Sequence, residues 1–247
     1  MKALILAAGY ATRLSPLTDD FPKQLLPVGG RPIVDWILDN IRRAGIDDIQ
    51  LVTNARFASV FEEWSDGIAI LDDGTSTNET RLGAIGDIRF ADLDDDALII
   101  AGDNLFDYEL ADFVEFWRSR DGSAVAVHDV GSKELAKKYG VIDVDADWRI
   151  VDFAEKPEEP ASTLIATATY LYRRAHVRLV DTYLAEGNPP DQPGHFVAWL
   201  HRREPVYAYR FDGGWYDVGD RDQLLEADNR LRARLGLPQR ASYTVDG

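Results

Sequence analysis

The chain's first opportunity for chemistry lies between its opening apolar run and its first helix. Leu6-Ala7-Ala8-Gly9-Tyr10-Ala11-Thr12-Arg13-Leu14 ends a strand-like segment in small residues. Small residues let backbone N–H groups come close to a ligand. Arg13, and Lys23 of the following Pro22-Lys23-Gln24-Leu25-Leu26-Pro27-Val28, add cationic donors suited to phosphate oxygens. The loop carries neither G-x-G-x-x-G nor G-x-x-x-x-G-K-[ST], which argues against a standard dehydrogenase and a P-loop ATPase. Further on, Gly102-Asp103-Asn104 closes the apolar run Ala97-Leu98-Ile99-Ile100-Ala101. A carboxylate at the carboxyl end of a central strand is well placed to ligate a hard cation such as Mg²⁺. The four His show no H-E-x-x-H or similar ligand spacing.

These groups need a scaffold, and hydropathy spacing supplies one. Residues 2–8 predict a strand, and Pro32 opens a helix that Gly45 ends. Residues 49–53 predict a strand, 55–64 a helix with Phe57, Val60, Phe61 and Trp64 on one face, and 68–71 a third strand. Asn78 reads as the N-cap of a helix to about Ile88, ahead of the strand ending at Gly102. A helix over 109–118 and a strand over 123–128 follow. Beyond Tyr139, residues 141–144 and 149–153 predict an antiparallel pair. A strand over 163–172, a helix over 175–185, a strand over 205–211 and a terminal helix over 221–235 complete the chain. The alternation predicts an α/β fold, with a Rossmann-like mixed, mostly parallel sheet, helices on both faces and a small antiparallel subregion. Ligands of such sheets bind outside the carboxyl ends of the strands.

Composition bounds the possibilities. The 247 residues suit a single domain over 1–247 with a sizeable core, and 45% hydrophobic content excludes disorder and collagen-like architecture. The absence of Cys removes a disulfide framework, a Cys-ligated zinc site and a thiol nucleophile, and makes a cytoplasmic location the simplest expectation. No apolar run is long enough for a secretory leader or a membrane span. A net charge of −16 without a basic stripe predicts no nucleic-acid partner and no membrane partner. The acidity suits either a high-salt host or a GC-rich genome.

Gly9-Tyr10-Ala11-Thr12-Arg13-Leu14-Ser15-Pro16-Leu17-Thr18 and Pro22-Lys23-Gln24-Leu25-Leu26-Pro27-Val28 together resemble the opening signature of the sugar-1-phosphate nucleotidyltransferases, or NDP-sugar pyrophosphorylases. Glucose-1-phosphate thymidylyltransferases are among them. The resemblance spans nearly the whole chain, and its departure is Ala11 where the family has a second Gly. It implies an enzyme that couples an NTP to a sugar 1-phosphate by in-line attack on the α-phosphate, with Mg²⁺, releasing pyrophosphate. Nucleotide-binding residues implied are Leu6, Ala8, Gly9, Arg13, Lys23, Asn78, Gly83 and Asp103. Asn78 and Gly83 fall at the spacing of the family's base-recognition Gln and Gly, and the change to Asn leaves the base open.

Phe153-Ala154-Glu155-Lys156-Pro157 is similar to the family's E-K-P segment, and Trp215-Tyr216-Asp217-Val218-Gly219 to its late W-x-D-x-G. Sugar-phosphate contacts are implied at Gly140, Glu155, Lys156 and Tyr170, and metal ligation at Asp103 and Asp217. The catalytic set implied is Arg13 for the leaving pyrophosphate, Lys23 for the nucleotide phosphates, Lys156 for the sugar phosphate, and the two aspartates. The chain then divides into a mainly nucleotide-binding part (1–135), a mainly sugar-phosphate-binding part (136–220) and a terminal helix and tail (221–247). The alternatives are a cytidylyltransferase for a non-sugar phosphate or phosphonate, and a non-catalytic nucleotide-binding module of the same fold. A GT-A glycosyltransferase should show Asp-x-Asp, which Asp103-Asn104-Leu105 lacks. A homo-oligomer is compatible with all of these.

Overall fold

A computed structural model describes residues 1–65 and 67–245; the last two residues of the expected tail lie outside that range. Strand β1 (Lys2–Leu6) is followed by a loop with two 3-10 turns (Thr12–Leu14, Lys23–Leu25) and a small hairpin, β2 (Pro27–Val28) and β3 (Arg31–Pro32). Then come α1 (Ile33–Arg43), β4 (Ile49–Thr53), α2 (Ala58–Trp64), β5 (Ala69–Asp72), α3 (Ala84–Phe90), β6 (Ala97–Ala101) and β7 (Asn104–Phe106). Next are α4 (Leu110–Arg118), β8 (Ser123–Asp129), α5 (Lys133–Ala136), β9 (Gly140–Val144), β10 (Ile150–Glu155) and β11 (Leu164–Tyr172). The chain continues through α6 (Arg174–Val177), α7 (Leu179–Ala185), α8 (Pro193–Leu200), β12 (Val206–Arg210), β13 (Trp215–Asp217) and α9 (Arg221–Arg234).

The main sheet runs β10-β9-β11-β6-β1-β4-β5, with β8 paired to β11 and β12 to β8. Strands β6, β1, β4 and β5 are parallel, so β1 and β6 deliver their carboxyl ends side by side. Period-two alternation sends Ala3 and Ile5 to one face and Leu4 to the other. On the first face sit α1, α4 and α9, through residues such as Ile37, Phe113 and Leu224. On the second sit α3, α7 and α8, through Ile88, Tyr183 and Phe196. Burying both faces requires the near-continuous apolar runs read in the sequence.

Strand β11 joins the two regions of the sheet. Thr169 to Tyr172 pair with β6, Leu164 to Ala166 pair with the far end of β8, and the register shifts between them. Ala168 takes φ 52° within that irregularity. Such bulges bend a strand and re-aim its side chains. The terminal helix α9 returns to the start of the chain: Asp228, 1% exposed, accepts the Gly29 N–H at 2.8 Å, and Arg221 donates to Ser15 O at 2.8 Å.

Two expectations need correction, and two features were not foreseen. Residues 79–83 are turn and irregular chain, not the first half of a helix, because Gly83 has φ 78° and α3 starts only at Ala84. The expected helix over 175–185 is broken at Arg178 into α6 and α7. Helix α8 was not expected, because it is apolar on nearly every side and shows no amphipathic period. Strands β7 and β13 pair antiparallel across more than a hundred residues of sequence, which local patterning does not reveal.

Candidate active site

Two cavities flank the loop after β1: Thr12 lines one and Arg13 the other. The cavity on the Arg13 side, about 550 Å³, brings together Arg13, Gly140, Glu155, Lys156, Tyr170 and Asp217. The one on the Thr12 side, about 420 Å³, is lined by Tyr10, Thr18, Arg56 and Asn78 among others.

The loop is held from both sides. Asn54 Nδ2 donates to Ala8 O at 3.0 Å and Thr18 Oγ1 donates to Ala11 O at 2.9 Å. Ala11 is left-handed, φ 46° and ψ 39°, which is the conformation that favours the family's usual Gly. A side chain on Gly9 would meet open space, so neighbouring protein atoms do not demand glycine there. Leu6 ends β1 and Ala8 is buried; neither lines either of these two cavities.

Lys23 is mostly buried and ion-pairs with Asp103, while its Nζ also donates to Val218 O at 2.8 Å. The β7/β13 pairing places Asp217 opposite Asn104, beside Asp103. Burial and then the Asp103 charge push the Asp217 carboxyl up to about 6, against opposing pulls from Lys23, Arg13 and Lys156. Two carboxylates and three cations thus act on one another within a single site.

The far wall is built from β9 and β10. Gly140 pairs with Glu155, and Glu155 Oε2 would lie 3.1 Å from a Cβ at Gly140. A Cβ on Gly194, in the first turn of α8, would overlap the same oxygen. Two glycines therefore make the slot that the Glu155 carboxyl fills, and burial raises its pKa, partly offset by Lys156. Lys156 Nζ lies 4.0 Å from Glu155 Oε1 and donates to Gln192 Oε1 at 2.7 Å. Tyr170 is buried beneath this wall, its hydroxyl pKa raised by burial and by Glu155. Sequence reasoning gave no role to Gly194 or Gln192; Pro193 at a helix start was the available signal.

Asn78 reaches the Thr12-side cavity, whereas Gly83 lines neither. Gly83 packs on the backbone of Pro190 and Asp191, whose carbonyls accept from Ile85 N at 2.8 Å and Ala84 N at 3.3 Å. Those carbonyls cap α3 in place of the expected Asn78 side chain. Behind this loop, Asp87 Oδ1 and Asp73 Oδ2 are buried with no donor among the described residues. Burial, then Asp73, then Asp191 push the Asp87 carboxyl up to about 7.

Cations suited to phosphate in and after the loop that follows β1, and a carboxylate at the end of the neighbouring parallel strand β6 with Asp217 set beside it by the antiparallel β7/β13 pair, mark an α/β protein of the nucleotide-handling class. The chain belongs to the nucleotidyl transferase family, whose model matches residues 2–234. It is 30% identical over 237 residues to a UTP–glucose-1-phosphate uridylyltransferase of Synechocystis sp., covering 89% of this chain and 60% of that relative's length. Among solved structures it is similar to a Bacillus anthracis protein assigned as a glucose-1-phosphate thymidylyltransferase, in complex with a sucrose. The TM-score is 0.78 at 25% identity, over 94% of this chain and 95% of that one. A UDP-glucose pyrophosphorylase complexed with UDP-glucose shares the fold, with TM-score 0.82 at 22% identity over 94% and 98% of the two chains. Among the described residues, no helix is long and apolar enough to cross a membrane.

Proposed function

We propose that this protein joins an NTP to a sugar 1-phosphate, forming an NDP-sugar and pyrophosphate. The observation that carries the proposal is the convergence of Arg13, Lys156 and Asp217 on one cavity, with the Lys23–Asp103 pair alongside. A sugar phosphate is already an anionic nucleophile near neutral pH, so positioning and charge neutralisation outweigh general-base help. One of its oxygens attacks the α-phosphorus in line, the bridging bond to the β-phosphate breaks, and pyrophosphate leaves with the electron pair. Arg13 holds the leaving pyrophosphate, Lys23 the nucleotide phosphates and Lys156 the sugar phosphate. Glu155 accepts hydrogen bonds from sugar hydroxyls, with Gly140 and Tyr170 shaping the wall behind it.

Gly9 would bring its backbone N–H to the nucleotide, with Leu6 and Ala8 fixing the strand end behind it, and the Thr12-side cavity with Asn78 would take the base. In the proposed division, residues 1–135 mainly serve the nucleotide and 136–220 mainly the sugar phosphate.

The donor set fits a divalent cation. Asp103 and Asp217 are hard oxygen donors whose mutual repulsion, visible in the raised Asp217 carboxyl, a cation would relieve. Among the described residues no third carboxylate or imidazole joins them, so substrate oxygens and water would complete the shell. Mg²⁺ held there would supply positive charge shared between the two carboxylates and the phosphates.

The test is a matrix of the four NTPs and dTTP against glucose, galactose and mannose 1-phosphates, with and without Mg²⁺, read as pyrophosphate release. Phosphocholine with CTP is the counter-substrate. Metal-dependent release with at least one sugar phosphate is expected. Release only with phosphocholine, or none with any pair, would overturn the proposal.

A further inference from the structure

The connection between α7 and α8 touches both halves of the site. Through its carbonyls, Pro190-Asp191 caps α3, which follows the loop carrying Asn78. Arg81 grips the Asp191 carboxylate in a fork, Nε at 2.9 Å and Nη2 at 2.6 Å, and turns Nη1 to Asn78 O at 2.8 Å. The next residue, Gln192, accepts the hydrogen bond from Lys156 Nζ. A continuous strap thus runs from Asn78 and Arg81 through Asp191 and Gln192 to Lys156.

Lys156 is a contested cation. Glu155 Oε1 lies 4.0 Å from its Nζ. Asp191 is held below the usual carboxylate range chiefly by Arg81, and then by the nearby charges of Lys156 and His195. An Asp191 carboxylate released by Arg81 would set an unscreened negative charge near Lys156, in competition with an incoming phosphate. Arg81 occupies both of its oxygens. Gln192 meanwhile fixes the ammonium with a neutral acceptor, which orients the charge without cancelling it. The left-handed backbone at Lys156, φ 46°, and its N–H bond to Tyr139 O at 3.1 Å set the direction of the side-chain stem.

We propose that Arg81, Asp191 and Gln192 are positioning residues that keep Lys156 aimed into the cavity and free for the sugar phosphate. The inference rests on the role of Lys156 proposed above. Its test uses the most active pair from the substrate matrix and measures both Michaelis constants. R81A should raise KM for the sugar 1-phosphate about 10-fold while leaving KM for the NTP within about twofold, as one unscreened carboxylate near the lysine would do. Adding D191N to R81A should restore the sugar-phosphate KM, because the competing charge is gone. Q192E, which puts a charge in place of the amide, should again raise that KM by about 10-fold.

Unchanged sugar-phosphate KM in R81A, an equal rise in both constants, or a defect that D191N does not repair would overturn the proposal. K156A, run in parallel, separates the two levels. If K156A is impaired and R81A and Q192E are not, the strap alone falls; if K156A leaves the sugar-phosphate KM unchanged, the phosphate role of Lys156 falls and takes the strap with it.

Discussion

Asp103 is held by Lys23 in the free protein, and both partners are groups that phosphorylated substrates would draw upon. Replacing Asp103 by Asn keeps shape and hydrogen-bonding capacity but removes the charge. D103N should fold normally and lower Mg²⁺-dependent pyrophosphate release by about 10²-fold or more, the scale of losing one electrostatic stabiliser. Wild-type turnover in that variant would remove Asp103 from the chemistry. Arg13 presents the complementary case, since it is exposed on a loop and contributes little to the core. R13A should cut kcat/KM for the triphosphate by about 10²-fold. Its melting temperature should stay close to wild type; a variant that melts early and turns over normally would make Arg13 a structural residue. Arg13, Glu155 and Lys156 stand in short motifs that resemble the family's, and the structure brings them to one cavity, with Lys23 paired to Asp103 alongside. Gln192 stands in no such motif, and its bond to Lys156 spans 36 residues of sequence.

At the level of elements, the junction of β5 and α3 carries a pH dependence. The Asp87 carboxyl, pushed up to about 7 in the fold, is protonated at a pH where the unfolded chain would be ionised. A raised carboxyl stabilises the fold fully at pH values below its unfolded value, and that contribution is lost as pH rises through about 7. Urea unfolding should therefore show wild type losing roughly 2–4 kcal/mol relative to D87N between pH 4 and pH 8, the scale of a shift of this size shared within a pair. Parallel stability curves for the two proteins would refute the raised Asp87 carboxyl. Elements with strong local signals, such as α1 with its buried stripe Ile33, Val34, Ile37, Leu38 and Ile41, were readable from spacing. The β7/β13 pairing was not: each strand has three residues, too few for a period, and the register that sets Asp217 beside Asp103 is a tertiary fact. The same applies to residues 79–83, where capping by Pro190 and Asp191 overrides a plausible local N-cap.

Across the whole molecule, Arg13, Lys23 and Lys156 balance Asp103, Glu155 and Asp217 within the site, while the body carries −16. An approaching polyanion therefore meets a repulsive long-range field and gains attraction only at contact. Stopped-flow binding of a fluorescent NTP analogue should show the association rate rising by a factor of about 2–10 between 20 and 200 mM KCl, as screening shortens the reach of the body's charge. A basic binding protein would show the reverse, and a falling rate here would mean that the local cations dominate at distance as well. The mixed sheet with helices on both faces followed from alternating patterns along the chain, whereas its closure by a returning terminal helix did not.

That returning helix ties together parts of the fold far apart along the chain. The buried Asp228 receives the Gly29 amide, and Arg221 donates to Ser15 O in the loop after β1, so that loop and the β2–β3 turn are both fastened by side chains of α9. A chain cut before Arg221 would lose both tethers at once, and the loop that carries Arg13 would lose the clamp on its flank.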